Sequence, residues 1–380
     1  AALPGWAATP PLERAAALAR FADAMDVAAA DLAELIHLEM GKPLGEARAE
    51  VARACEVVHH FAGEAERLWV QHLPGATLAT GSHVRPAPVG VVAAITPWNF
   101  PVALVVWKLA PALAAGCCVV VKPAQEAPLA AWAVCDLAVR SGLPPGVVGC
   151  ITGGVDKVAF TGSRRVAEII AGWAAPRLKA LSLELGGHGP LVVLPDADLD
   201  TVAEVAAVQG YANAGQACYA VNRVIVPREL EGAVVERLRA RLAGIELGPM
   251  ATTRGLNRHG MLMDAARSHG ATVTGGEDLG GGRLAPALFT DVGPGVRAVD
   301  EEPFTPIVSV IAVDDVDAAV REANRPDYGL VGYVCGTDLR RTLEVAQSVE
   351  CGTVVVNGWR VVVPYAPYSA WRGSGVGCEL

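Results

Sequence analysis

The residue best suited to covalent chemistry in this chain is Cys218, which closes a Gly-Gln-Ala-Cys run in a segment with few charges. A thiolate is a strong nucleophile toward a polarised carbonyl carbon. The other eight cysteines, at 55, 117, 118, 135, 150, 335, 351 and 378, read as buried and inert, the common state of a free thiol. Glu184 is the candidate for proton transfer. It stands in an otherwise apolar Leu-Glu-Leu-Gly-Gly turn, where desolvation would raise its pKa and suit it to act as a general base. Gly162-Ser163 could open a helix whose N-terminus receives an anionic group. Taken alone, Asn99 reads as a turn or strand-end residue, and Lys122 and Glu302 read as solvated surface charges. No G-x-G-x-x-G follows the first strand, so the ordinary dinucleotide fingerprint is absent.

The elements that must position these residues fall into three stretches. From Leu12 to about Glu66, apolar residues recur at three- and four-residue spacing, which predicts helices, with Gly41-Lys42-Pro43 as a break. Residues 72–89 show short extended runs punctuated by Pro and Gly, the pattern of a protruding hairpin. Between Val89 and about Glu184, apolar β-rich runs alternate with helical stretches, as in a parallel doubly wound sheet. A second alternation follows from Gly187 to about Asn357, with strands at PLVVL, NRVIVP, PIVSVIAV and GTVVVN. The expected fold is therefore α/β. Residues 1–71 and 90–186 form a dinucleotide-binding domain, 187–373 a catalytic domain, and 72–89 with 374–380 a small oligomerisation segment.

Six motifs, read together, are more specific than any one: TPWNFP at 96–101, KPAQEAP at 122–128, FTGS at 160–163, LELGG at 183–187, GQAC at 215–218 and EEPF at 301–304. In that order the chain resembles the aldehyde dehydrogenase superfamily, from GKPL at 41–44 to RGSGVGCEL at 372–380. The resemblance implies oxidation of an aldehyde to a carboxylate with NAD(P)⁺ through a thiohemiacetal and then a thioester on Cys218. It makes Asn99, with the backbone N–H of Cys218, the oxyanion donor, and Glu184 the base that activates water. It places Thr96, Pro97, Trp98, Lys122, Gln125, Gly162, Ser163, Leu185, Glu302 and Phe304 around the cofactor: Lys122 on the adenosine ribose, Glu302 on the nicotinamide ribose, Phe304 near the ring. A CoA-acylating relative is disfavoured by the presence of Glu184, and a catalytically silent nucleotide-binding relative is the remaining alternative.

Departures from the family pattern sharpen the expectations. Gln125 stands where many members carry a Glu against the adenosine 2′-hydroxyl, which opens the site to NADP⁺. His188, Thr305 and the PYSAW run at 367–371 replace residues that shape turns, so changed local geometry is expected there. Tyr219, Trp359, Val361 to Val363 and Tyr365 fall near the substrate pocket by position and suggest an apolar or aromatic aldehyde. GQACYAVNRV resembles semialdehyde dehydrogenases, yet Val362 occupies the position where those enzymes tend to place a carboxylate-binding Ser.

Composition closes off other classes. The net charge is -9, with no dense Lys/Arg run to track a phosphate backbone, so nucleic acid is not an expected partner. Nine cysteines, without a C-x-x-C pair, argue against a disulfide framework or a metal site and for the cytoplasm. The run from Ala103 to Val121 is apolar but broken by Pro111 and Gly116, and reads as buried helix leading into buried strand rather than a membrane span. A homodimer or homotetramer is expected, as in the family.

Overall fold

A computed structural model describes all residues except 69–70, 75–80, 85, 151–156, 178–179, 294, 364–365 and 380. Tyr365 is therefore outside the described residues, as is the middle of the 72–89 hairpin. The N-terminal periodicity is realised as helices Leu3–Ala8, Pro11–Val27, Ala29–Met40 and Leu44–Glu66, with Gly41 in the left-handed conformation (φ 71°) closing the third. The run after Asn99 is the buried helix Ala103–Ala114 followed by the strand Cys118–Lys122. Among the described residues no helix is long and apolar enough to cross a membrane.

The first sheet runs in the order Gly375–Val376, Ala180–Glu184, Lys157–Thr161, Val91–Ile95, Cys118–Lys122, Val148–Gly149. Its other five strands are parallel to one another, and only Gly375–Val376 is antiparallel. The chain starts at Val91–Ile95, steps out to one side, then returns to build the other. That reversal leaves a crevice at the carboxyl ends of Val91–Ile95 and Lys157–Thr161, where doubly wound sheets bind ligands. Thr96 to Asn99 and Gly162-Ser163 follow these two strands directly.

The second sheet has seven strands: Thr272–Gly275, Ala287–Thr290, Ile307–Val313, Val221–Pro227, Gly189–Val193, Val331–Cys335 and Thr353–Val356, in that spatial order. All neighbours are parallel except the first pair. Val221–Pro227 is buried at every position, as expected of a strand covered on both faces. One continuous apolar cluster joins the sheets: Leu18, Phe21 and Val51 of the N-terminal helices, Val92 and Val119 of the first sheet, Leu191, Val224 and Tyr333 of the second. The loops at the sheets' facing ends are thus fixed to a common core. Gln71–Pro74 and Gly81–Val84 pair antiparallel as the two arms of the hairpin read from the sequence. Gly375–Val376 pairs antiparallel with Ala180–Glu184 at the edge of the first sheet.

Candidate active site

Cys218 follows the helix Leu199–Tyr211 after a tight turn. Three consecutive residues in that turn, Asn213, Ala214 and Gly215, are left-handed, with φ of 50°, 55° and 73°. For the two with a Cβ this conformation costs about 1–3 kcal/mol each, so the surroundings must hold it. Asn213 donates its backbone N–H to the Glu46 carboxylate at 2.9 Å and its amide to the Asn99 carbonyl at 3.2 Å. Gln216, 1% exposed, donates to the Asn213 carbonyl at 3.0 Å and accepts from the Ala251 N–H at 3.0 Å. A Cβ on Gly215 would sit 2.2 Å from the Thr305 carbonyl oxygen, so this position requires glycine on space as well as on φ.

Glu184 ends the strand Ala180–Glu184 and is 3% exposed. The two glycines that follow it bring three loops into contact. A Cβ on Gly186 would fall 2.3 Å from a Glu302 carboxylate oxygen, and one on Gly187 would fall 1.9 Å from the Cys218 carbonyl oxygen. The Gly187 N–H donates to Glu302 at 3.1 Å. Residue 374 completes the turn: the Leu185 N–H donates to the Ser374 carbonyl at 2.8 Å, and the Ser374 hydroxyl donates to the Gly186 carbonyl at 2.7 Å. The Cys218 sulfur is partly buried, 3.9 Å from the Tyr368 hydroxyl. Burial, reinforced by the charges of Glu302 and Glu184, pushes the thiol up to about 12. Burial also raises Glu302 to about 7, against the opposing Gly187 N–H and Arg258 charge.

Asn99, 5% exposed, donates its side-chain amide to the Gln216 carbonyl at 2.9 Å, two residues before Cys218. Its own carbonyl accepts from the Lys42 ammonium at 2.8 Å. Lys42 is fully buried, pairs with Glu50 and lies 4.0 Å over the Phe100 ring. Glu50, also fully buried, accepts the backbone N–H groups of Val102 and Ala103 at 3.1 and 3.2 Å, capping the helix Ala103–Ala114. A buried carboxylate and ammonium thus satisfy each other while clamping both ends of the Asn99 loop.

Several of the residues expected around a cofactor lie at or just after the carboxyl ends of strands in the first sheet. Thr96, 4% exposed, has a buried hydroxyl without a hydrogen-bond partner among the described residues, and its N–H donates to the Lys122 carbonyl at 3.2 Å. Pro97 follows it, and the Trp98 ring meets Phe304 edge-on at 6.2 Å between centroids. Ser163 is the N-cap of the helix Arg164–Ala174 and makes no side-chain cap, leaving its hydroxyl and the helix's first N–H groups for a ligand. Lys122 and Gln125 are exposed on the rim. An orphaned hydroxyl, an open helix N-terminus and a rim lysine suit a dinucleotide phosphate and ribose.

A model of the aldehyde dehydrogenase family matches residues 1–380. The chain belongs to this family. It is 36% identical to glutarate-semialdehyde dehydrogenase of Pseudomonas aeruginosa, over 100% of this chain and 84% of that protein. It is 37% identical to geranial dehydrogenase of Castellaniella defragrans, over 99% and 84%. The crystal structure of an aldehyde dehydrogenase from Brucella melitensis biovar abortus superposes with a TM-score of 0.97 at 36% identity, covering 100% of this chain and 83% of that one. An NADP-dependent enzyme of E. coli superposes with a TM-score of 0.96 at 34% identity, covering 100% and 84%. The protein is an NAD(P)⁺-dependent oxidoreductase acting on aldehydes.

In this aldehyde dehydrogenase the unusual turn residues are accommodated. Thr305 is fully buried and has no positive φ; the left-handed residue is its neighbour Phe304, at φ 52°. His188, 2% exposed, holds the Val299 carbonyl at 2.9 Å through Nε2 and faces Asn222 through Nδ1, and burial beside Arg223 drops its pKa to about 3. It is therefore a neutral brace. Sequence reasoning missed Lys42, Glu50 and Tyr368, of which only Lys42 carried a signal, through GKPL.

Two consequences can be measured. Gly187→Ala must displace the Cys218 carbonyl, and activity is expected to fall by at least about a hundredfold with the protein still folded by circular dichroism; near-normal activity contradicts the close approach. In cofactor-free protein, Glu302→Gln removes a charge that raises the thiol pKa, so iodoacetamide should label Cys218 faster at pH 8 than in the wild type. Equal or slower labelling, read by mass spectrometry of the Cys218 peptide, contradicts that electrostatic coupling.

Proposed function

We propose that Cys218 is the nucleophile, Asn99 the oxyanion donor and Glu184 the general base of this aldehyde dehydrogenase. The observation that carries this reading is the junction at Gly186-Gly187, where the turn after Glu184 meets the Cys218 backbone and the Glu302 carboxylate. The Cys218 thiol gives up its proton to water as its sulfur attacks the aldehyde carbon, and the carbonyl oxygen becomes an oxyanion. The Asn99 amide, with one N–H held by Gln216, has a second to offer it, beside the Cys218 backbone N–H. NAD(P)⁺, when bound, supplies the hydride acceptor that oxidises the thiohemiacetal to a thioester. Glu184 then takes a proton from the water that attacks the thioester, releasing the carboxylate and restoring the thiol.

Thr96, Pro97, Trp98, Lys122, Gln125, Gly162, Ser163, Leu185, Glu302 and Phe304 are proposed to hold the cofactor, with Gln125 admitting the 2′-phosphate. The substrate enters through a cavity of about 840 Å³ lined by Phe100, Tyr219, Trp359, Val361 and Val362. Relatives act on partners as different as glutarate semialdehyde and geranial by name, and the mostly apolar wall here supports an aldehyde with an apolar body. The hairpin arms Gln71–Pro74 and Gly81–Val84 are proposed as a contact in a homodimer or homotetramer. Nine free thiols support a reducing, cytoplasmic setting.

Cys218→Ala should abolish aldehyde-dependent reduction of the cofactor. Glu184→Gln should retain a single burst of reduced cofactor but lose steady turnover by on the order of a thousandfold; a variant with undiminished turnover removes Glu184 from the mechanism. Titration of the wild type should give comparable affinities for NADP⁺ and NAD⁺, and a large preference for NAD⁺ would overturn the role given to Gln125.

A further inference from the structure

The Cys218 thiol must ionise to react, and most of its surroundings oppose this. Burial and the charges of Glu302 and Glu184 disfavour a thiolate, while its own backbone N–H and the Tyr368 hydroxyl favour one. Two further phenols, Tyr219 and Tyr333, lie close enough to feel the charge of the sulfur. The Tyr333 hydroxyl is committed to the Tyr219 carbonyl at 2.7 Å, and Tyr219 lines the substrate cavity. Burial holds all three phenols protonated, above their ordinary range. Among the described residues, Tyr368 is the one whose side chain hydrogen-bonds the sulfur, at 3.9 Å.

The fold fixes where that hydroxyl sits. Tyr368 opens the short strand Tyr368–Ser369, which pairs antiparallel with Cys378–Glu379. The Cys378 carbonyl accepts from the Ser182 hydroxyl at 3.0 Å, which ties this pair to the strand that ends at Glu184. Three residues after Tyr368, the Trp371 N–H donates to the Gly329 carbonyl at 2.9 Å. The Tyr368 ring, 3% exposed, packs on Trp107 at 5.8 Å between centroids. Trp107 belongs to the buried helix Ala103–Ala114, whose start is capped by Glu50. A ring held by backbone on one side and by an aromatic neighbour on the other presents its hydroxyl to the sulfur in one place.

We propose that Tyr368 is a further catalytic residue, whose hydroxyl donates a hydrogen bond to the sulfur anion of Cys218 each time that anion forms. This rests on the assignment of Cys218 as the nucleophile. In the resting enzyme either atom can be the donor. Once the thiol proton has passed to water, the phenol turns its O–H onto the sulfur and keeps its own proton. The anion forms again when water attacks the thioester: the carbon–sulfur bond breaks, its electron pair goes to sulfur, and a stabilised thiolate leaves faster. An uncharged donor suits this position, because a cation there would also attract Glu184 and Glu302 and hold the base in its ionised form by pairing rather than leaving it free to take a proton.

The test is the rate at which iodoacetamide labels Cys218 in cofactor-free protein, read by mass spectrometry of the Cys218 peptide from about pH 7 to 9, below the ordinary thiol midpoint and just above it. Wild type, Tyr368→Phe and Tyr368→Leu are compared. Loss of a hydrogen bond to a charged acceptor lowers the thiolate population by about tenfold, and roughly half of that on a logarithmic scale is offset because a more basic sulfur is the better nucleophile. Tyr368→Phe keeps the ring on Trp107 and should therefore label about threefold more slowly at each pH. Tyr368→Leu should label as slowly as Tyr368→Phe and melt at a lower temperature, since it also loses the ring. Labelling of Tyr368→Phe at the wild-type rate overturns the proposal, and so does slow labelling confined to Tyr368→Leu, which assigns the effect to packing. Aldehyde turnover by Cys218→Ala, measured separately, would instead remove the nucleophile on which the proposal rests.

Discussion

Everything at the reacting centre depends on two missing Cβ atoms. Gly186 and Gly187 let the end of the first sheet approach the Glu302 carboxylate and the Cys218 backbone to distances no side chain would permit. The turn is then fixed from the other side by Ser374. Glu184 at a strand end and Cys218 and Glu302 in two separate loops share one reference, a dipeptide of bare backbone. Such a contact has little freedom to relax: a glycine pair gives close approach, and the surrounding hydrogen bonds remove the mobility that glycine would otherwise bring.

The second organising feature is ionic. Lys42 and Glu50 are both withdrawn from water, which is costly for each, and burial lowers the Lys42 pKa against the compensating charge of Glu50. The pair is furnished with further partners: the Asn99 carbonyl for the ammonium, the Val102 and Ala103 N–H groups for the carboxylate. A buried pair of this kind contributes modestly to net stability. Its geometric effect is larger, since a side-chain amide can serve as an oxyanion donor only when its loop is held in place.

The family was legible because Cys218, Asn99 and Glu184 each sit in a short motif whose order along the chain is distinctive. The parallel alternation of the first sheet was legible for a similar reason, being written in contiguous apolar runs. Less of the second sheet could be read. Thr272–Gly275 and Ala287–Thr290 have four residues each, and Val331–Cys335 contains a glycine, so they lack the apolar length that marks a buried strand. The Lys42–Glu50 clamp was invisible because its meaning lies in a contact to Asn99 across 57 positions. The unusual Thr305 suggested an altered turn, yet the backbone places the positive φ one residue earlier, on Phe304, a shift that residue type alone does not reveal.

The contacts of Ser374 bear on how this enzyme is made. The turn after Glu184 receives its last hydrogen bond from a residue 188 positions later. On the ribosome, the strands of the first sheet and the thiol of Cys218 emerge well before that partner exists. A nascent chain can therefore hold Cys218 and most of the first sheet without the contact that fixes the turn between them. Any chain ending before that residue lacks the contact that fixes the turn beside Cys218.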